Sequence, residues 1–128
     1  MEVTEIPSAG GFKRCPAPEV REVLVRIGDK WSVLVIARLG ERGRRFTELL
    51  RDIDGISQRM LTVTLRGLER DGIVSRTVHA VVPPRVDYAL TPMGRTLLTT
   101  VTDLARWADR HARDIEGSRM AYDKRQGG

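Results

Sequence analysis

Residues 55–72 read GISQRMLTVTLRGLERDG, and they carry the start and stop signals of a single helix. Ser57 is a suitable N-cap, because its hydroxyl oxygen can accept a bond from a backbone N–H that the first turn leaves unpaired. Ile56 and Leu61 have the spacing of a hydrophobic staple around that cap. Gly72 supplies the left-handed residue that commonly ends a helix. We therefore predict a helix over residues 57–71.

The predicted helix has two chemically different faces. Leu61, Leu65 and Leu68 fall on one side. The other side carries amide, hydroxyl and guanidinium groups and no carboxylate: Gln58, Arg59, Thr62 and Arg66. Such groups suit base edges and phosphates in a major groove. A polar face that simply contacts solvent is the ordinary alternative for any amphipathic helix. The neighbouring segments are therefore needed to distinguish a DNA-contacting face from a solvent-exposed one.

The segments before this helix predict further helices. Apolar spacing indicates a helix that ends at Gly28 and a second one over residues 30–39, which is apolar on nearly every side and should form the buried centre. Residues 44–46 suggest a very short strand, and residues 48–53 suggest a short helix. The helix over residues 48–53 and the helix over residues 57–71 are joined by a tight turn that contains Gly55. Together they have the outline of a helix-turn-helix.

A β-hairpin is predicted directly after the helix-turn-helix. Residues 73–78 and 86–90 alternate in polarity, and two prolines lie in the segment between them. Proline cannot donate to a strand ladder, so this segment is a loop. A hairpin in this position, over residues 74–90, is the wing of a winged helix-turn-helix, and Arg76 and Arg85 are its cations.

The C-terminal part predicts one long helix from Thr91 and Pro92 to about Glu116. A helix of about 25 residues extends beyond a small domain. Its apolar stripe therefore requires a partner, which is either the same helix of a second subunit or the helix's own domain. We favour a homodimer with this predicted interface: Leu97, Val101, Leu104, Trp107, Ala108 and Ile115.

Length and composition predict one domain and an anionic partner. The chain has 128 residues, a formal net charge of +5, and 19 arginines among its 22 basic residues. We divide it into a flexible arm (1–14), a DNA-binding and dimerisation domain (15–116) and a flexible tail (117–128). One cysteine cannot form an internal disulfide, and no apolar run or signal peptide indicates a membrane or export. We expect a cytoplasmic protein.

Catalytic and metal sites are not indicated by the sequence. His79 and His111 have no cysteine or second histidine at ligand spacing. No Ser/His or Cys/His arrangement supports nucleophilic catalysis. We expect neither a metal nor a cofactor.

Several strings, in this order and spacing, are typical of a known family: CP at 15–16, GDKW at 28–31, RFTEL at 45–49, GISQRML at 55–61, LERDG at 68–72, VPPRVDY at 82–88 and LTPMG at 90–94. Through them the chain resembles the HxlR-type winged helix-turn-helix transcriptional regulators, a branch near the MarR group, over about residues 15–112. One departure is the wing tip at residues 79–81, which is more apolar than we expect for the family.

The resemblance implies a homodimeric, DNA-binding regulator without catalytic activity. The implied fold is mainly α with a small β-hairpin and a long C-terminal dimerisation helix. The recognition helix (57–71) would enter the major groove, and the wing (74–90) would contact the backbone or the minor groove. Cys15 stands where some members of the family sense oxidants or electrophiles. An unremarkable thiol at a helix entrance is the alternative interpretation.

The predicted DNA contacts divide by chemistry. Arg59 should read guanine and Gln58 adenine, while Thr62 and Arg66 should hold phosphate or a secondary base edge. Contacts to the backbone or minor groove are predicted for Arg45, Thr47, Arg76 and Arg85, and Ser57 belongs to the same surface. Two other functions stay open: a winged-helix module for protein–protein assembly, and a small-molecule receptor with secondary DNA affinity.

Overall fold

The computed structural model describes residues 17–127, which form five helices and three short strands. In chain order these are α1 (Pro18–Gly28), α2 (Lys30–Glu41), β1 (Arg44–Arg45), α3 (Phe46–Asp52), α4 (Gln58–Arg70), β2 (Val74–His79), β3 (Arg85–Leu90) and α5 (Pro92–Gly127). The predicted winged helix-turn-helix with a long C-terminal helix is confirmed. Within residues 17–127, every helix is too short or too polar to cross a membrane.

Helix α2 lies at the centre of the core, as its apolar sequence predicted. Three of its side chains, Val35, Ile36 and Leu39, are fully buried. The leucine face of α4 belongs to the same apolar cluster, as do side chains from α3, from β2 and β3, and from α5. Because α4 buries its leucines against this cluster, its opposite face points away from the domain.

Both ends of α4 have the local structure that the sequence predicted. The Ser57 hydroxyl oxygen accepts the backbone N–H of Met60 at 3.1 Å. At the other end Gly72 has a φ of +77°, and the N–H of Ile73 donates to the carbonyl of Leu68 at 2.9 Å. This is a Schellman ending, in which a residue with positive φ lets the chain satisfy the last carbonyls of the helix.

The wing is part of a three-stranded antiparallel sheet rather than an isolated hairpin. The strand order is β1-β3-β2, so that β3 lies in the middle. Arg44 of β1 is opposite Tyr88, and Arg45 is opposite Asp87. The very short strand expected before α3 is therefore present, and it joins the helix-turn-helix to the wing.

The short helix α3 begins earlier than the prediction of residue 48. Its first residue is Phe46, and Arg45 is the N-cap residue. The Glu48 carboxylate accepts the backbone N–H of Arg45 at 2.9 Å. A carboxylate in the first helical turn that reaches back to the N-cap N–H stabilises this start.

The predicted end of α5 near Glu116 is wrong, because the helix continues to Gly127. Gly117 lies inside the helix, where a glycine costs only about 1 kcal/mol relative to alanine. The following residues include Arg119, Met120, Ala121 and Lys124, which are good helix formers. Flexibility of the segment after residue 117 stays a prediction.

The first part of α5 folds back on its own domain. Val101 is only 1% exposed and lies in the core, and Leu97 packs against it. A Cβ on Gly40 would lie 2.5 Å from Cδ1 of Leu98, so α2 and α5 approach closely there. The assignment of Val101 to a subunit interface is therefore corrected, since its side chain is already covered by its own domain.

Gly94 allows α5 to pack closely on Ile73, the residue directly before β2. Its Cβ, if present, would lie 2.2 Å from the carbonyl oxygen of Ile73, which also accepts the N–H of Thr91. We expect Gly94→Ala to lower the free energy of unfolding by about 1–3 kcal/mol, because a backbone atom blocks the added methyl group. Gly117→Ala is the matched control in the same helix.

A Cβ on Gly117 meets nothing within 4 Å. Gly117→Ala should therefore raise stability by up to about 1 kcal/mol through helix propensity alone. Urea unfolding of both variants measures the contrast, and equal effects of the two substitutions would contradict the described packing of α5.

Candidate nucleic-acid interface

The outer face of α4 presents the predicted reading residues to solvent. Gln58, Arg59 and Arg66 are exposed. Neither Arg59 nor Arg66 forms an ion pair with another residue in 17–127. Their guanidinium groups are therefore available for an external acceptor, and a guanidinium can form a bidentate contact with guanine or phosphate.

Two hydroxyl groups on this face already have partners within the chain. Ser57 accepts a bond as the N-cap, which leaves its O–H as a donor. Thr62 donates to the carbonyl of Gln58 at 2.9 Å, which leaves acceptor lone pairs. Ser57 therefore suits a phosphate oxygen, whereas Thr62 in this rotamer suits a donor on a base edge.

A cleft between α4 and the wing brings three predicted contact residues together. It encloses about 320 Å³ and is lined by Thr62 and Arg66 of α4 and by Arg76 of β2. Phe46, Leu65, Tyr88 and the acidic residue Glu69 also line it. Two cations from different elements thus face one space.

A second cleft lies between α3 and the wing loop. It encloses about 450 Å³ and is lined by Arg45, Thr47 and Arg85 together with residues 81–84 of the loop. Three of the four residues predicted for contacts to the backbone or minor groove therefore lie around one depression, and the fourth, Arg76, lines the cleft beside α4. The apolar loop residues 81–84 form one wall of this cleft.

An adjoining, larger cleft of about 790 Å³ is rich in arginine. Five arginines line it: Arg42, Arg44, Arg45, Arg51 and Arg85. Arg42 and Arg51 are not among the contact residues predicted from the sequence. Four arginines between residues 42 and 51 were the available signal, but only the folded chain shows that they meet the wing cation Arg85.

Carboxylates of the chain neutralise part of this cluster. Arg44 is 8% exposed, and its Nη1 donates to Asp52 at 2.6 Å. Arg42 donates to Glu48 at 3.1 Å. These arginines are partly committed to the fold, in contrast to Arg59 and Arg66.

Asp87 has a similar effect in the wing. Its carboxylate lies 2.9 Å from Nε2 of His79 and 3.5 Å from Nε of Arg85. Asp87 therefore offsets part of the positive charge of Arg85. Arg76 on the neighbouring strand forms no ion pair with any residue in the described range.

The remaining predicted site residues lie elsewhere. Gln58 and Arg59 are at the start of α4 and line none of these three clefts. Cys15 lies outside the described residues. Leu104 and Trp107 on α5 are 50% and 48% exposed, while Ile115 is half-buried. Within residues 17–127, no three His, Cys, Asp or Glu side chains are placed to hold a metal ion.

The family model for the HxlR-like helix-turn-helix matches residues 26–116, more than half of the chain. The chain belongs to the HxlR family. The matched segment begins inside α1 and ends within α5, so it contains the whole helix-turn-helix and the wing.

Relatives of this HxlR-family chain are transcriptional regulators. It is 41% identical over 97 residues to the HTH-type transcriptional regulator YtfH of Escherichia coli, covering 76% of this chain and 75% of that protein. The solved structure of the transcriptional regulator ytfH from Salmonella typhimurium has a TM-score of 0.74 at 36% identity, covering 84% of this chain and 93% of that one.

A second solved structure adds a regulatory comparison. The redox regulator HypR in its reduced form has a TM-score of 0.70 at 40% identity, covering 77% of this chain and 98% of that chain. The HxlR-family chain is thus a transcriptional regulator with a helix-turn-helix domain, and the resemblance inferred from the strings is confirmed.

The acid sensitivity of the α3 start tests the electrostatics of the arginine cluster. The backbone N–H of Arg45 and then the Arg42 side chain lower the pKa of Glu48 from 4.5 to about 2. The unfolded chain therefore takes up a proton at a pH where the folded protein keeps the carboxylate ionised. This stabilisation is present above about pH 5 and is lost as the pH falls toward 2.

We expect wild-type protein to be more stable than Glu48→Gln at neutral pH, with a difference that shrinks between about pH 4.5 and 2. Urea unfolding across this pH range measures it. Arg42→Ala should remove part of the pH dependence, because the backbone bond to Glu48 remains. A difference that stays constant from pH 7 to 2 would contradict the described bonds.

Proposed function

We propose that this regulator binds specific DNA sequences as a homodimer, with α4 in the major groove and the wing on the backbone or minor groove. The observation that carries the proposal is the exposed Gln58, Arg59 and Arg66 face of α4, which lies beside arginine-lined clefts of α3 and the wing. One continuous cationic surface then meets base edges at its centre and phosphates at its sides.

The proposed roles follow from exposure and from the bonds already made. Arg59 reads guanine and Gln58 reads adenine, because both side chains are exposed at the end of α4 that enters the groove first. Arg66 and Arg76 share one cleft and hold a phosphate together. Arg45, Thr47 and Arg85 hold the backbone on the wing side.

The proposed dimer uses the distal part of α5. A helix of 36 residues is about 54 Å long, which exceeds the reach of the small domain it packs on. Leu104 and Trp107 are half exposed there, and Ala108 and Ile115 follow on the same stripe. In a two-fold dimer the two α4 helices face half-sites about 34 Å apart. Residues 15–116 form the DNA-binding and dimerisation domain in this proposal.

Two arginine substitutions test the roles on DNA. Arg59→Ala should cost about 1–3 kcal/mol at the selected duplex and relax specificity at one base pair. Arg85→Ala should weaken all sequences similarly and reduce the salt slope by about one. Gel-shift titrations at several salt concentrations, on a duplex selected from a random pool by the wild-type protein, measure both effects.

Arg113→Ala is the control, since it removes the same charge from an exposed position on α5. Unchanged affinity and sequence preference in Arg59→Ala would show that α4 is not the reading helix. If the wild-type protein selected no duplex, the alternatives would be a winged-helix module for protein assembly or a small-molecule receptor.

A charge on the α5 stripe tests the dimer. Leu104→Asp should yield monomers, because a carboxylate cannot be buried in an apolar interface without a partner. Met93→Asp is the control on the same helix, because this exposed methionine lies about three turns before Leu104 and outside the distal segment proposed for the interface. Light scattering after size exclusion measures the mass, and a dimeric Leu104→Asp would contradict the proposed interface.

Control by oxidation of Cys15 is the proposed regulation, and similarity to the redox regulator HypR supports it. The chain has this one cysteine, and it lies three residues before α1 begins. Diamide should release wild-type protein from the selected duplex and leave Cys15→Ser bound. Release of both proteins to the same extent would assign control to a small-molecule effector or to another residue.

A further inference from the structure

An arginine of α1 crosses the C-terminal end of α4. Arg26 is in the last turn of α1, and its Nε donates to the carboxylate of Asp71. Asp71 is the C-cap residue of α4. The two side chains are 28% and 19% exposed, so this ion pair is shielded from solvent more than most surface pairs.

The same arginine lies directly on the backbone of α4. A Cβ on Gly67 would lie 2.0 Å from Nη1 of Arg26, 2.9 Å from its Cζ and 3.5 Å from its Cδ. Arg26 supplies the three nearest atoms outside the backbone of α4 and the adjoining residues. Because Gly67 has no side chain, the surface of α4 has room at this position for the guanidinium group.

The position of Asp71 at the end of α4 favours a nearby cation. The C-terminal end of a helix carries a partial negative charge, so a carboxylate there is unfavourable. Arg26 compensates it, and it also lies in the last turn of its own helix. One guanidinium group thus pairs with a carboxylate close to the C-terminal ends of two helices.

Among residues 17–127, side-chain burial contributes little to the position of helix α1. None of its side chains is fully buried. Ile27, near its end, is partly buried and packs against the core. Since burial contributes little over most of α1, a polar contact to α4 has a large share in setting the angle of α1 to the domain.

We propose that Arg26 is a positioning residue that couples α1 to the recognition helix by lying across Gly67 and pairing with Asp71. The inference rests on the proposed DNA-binding role of α4. Helix α4 has 13 residues and is about 20 Å long, so a tilt of a few degrees at Asp71 displaces Arg59 relative to the base edges. Movement of α1 is thereby transmitted to the DNA surface.

Unfolding of single and double variants tests the contact itself. Gly67→Ala should lower the melting temperature of the wild-type protein, because the new methyl group displaces Arg26. In Arg26→Ala the same substitution should raise it by about 3–5 °C through helix propensity. Gly117→Ala measures the gain in melting temperature from helix propensity alone, because its added methyl group meets no neighbouring atom. If Arg26→Ala does not fold, Asp71→Asn serves as the background, and Gly67→Ala should lose most of its cost there.

Gel-shift titrations with a duplex selected by the wild-type protein test the positioning role. Asp71→Asn makes the protein more positive by one charge, so a general electrostatic effect would strengthen DNA binding. Positioning predicts about a tenfold loss of specific affinity in Asp71→Asn, Gly67→Ala and Arg26→Ala. The salt slope of Gly67→Ala and Asp71→Asn should not change, because no phosphate contact is removed. Arg26→Lys should recover part of the affinity.

Each outcome is decisive. A sign reversal in stability together with the affinity losses supports the proposal. An equal effect of Gly67→Ala in both backgrounds overturns the contact, and a sign reversal without any affinity loss overturns the positioning role. If the wild-type protein binds no duplex, the proposed function fails and the positioning role falls with it, while the stability measurements still decide whether Arg26 contacts Gly67.

Discussion

The packing of the α4 leucines against α2 is the interaction on which the DNA-facing surface depends. Leu61, Leu65 and Leu68 belong to one cluster with the buried face of α2. The leucines and the arginines lie on opposite faces of the same helix, so burial of the leucines leaves Arg59 and Arg66 pointing outward. The cap at Ser57 and the Schellman ending at Gly72 fix where this helix begins and ends.

The arginines of the interface differ in how far the protein itself uses them. Arg44 is buried and bonded to Asp52, so it serves the fold. Arg85 and Arg42 share their charge with carboxylates that a phosphate has to compete with. Arg59 has no ion-pair partner among residues 17–127. All of these arginines contribute equally to the net charge. Only an arginine without an ion-pair partner, such as Arg59, offers its full hydrogen-bonding capacity to DNA.

Local signals in the sequence predicted the helix-turn-helix and the wing correctly, because caps, turn residues and periodicity act over a few residues. These local signals do not predict contacts between segments that are distant in the sequence. Periodicity predicts the apolar stripe of α5, but it does not say whether the domain or a second subunit covers Val101. The meeting of Arg42 and Arg51 with Arg85 needs the folded chain, as does the contact of Arg26 with Gly67. The individual DNA contacts remain predictions.

The central place of β3 in the sheet divides the wing into a hydrogen-bonded base and an unpaired tip. Its partners are β1 on one edge and β2 on the other, and the last paired residues of the hairpin are His79 and Arg85. Only residues 80–84 lie beyond this pairing. Insertions or deletions there would change how far the tip reaches across a groove without disturbing the ladder. During evolution, loop length and recognition-helix sequence can therefore vary independently of each other.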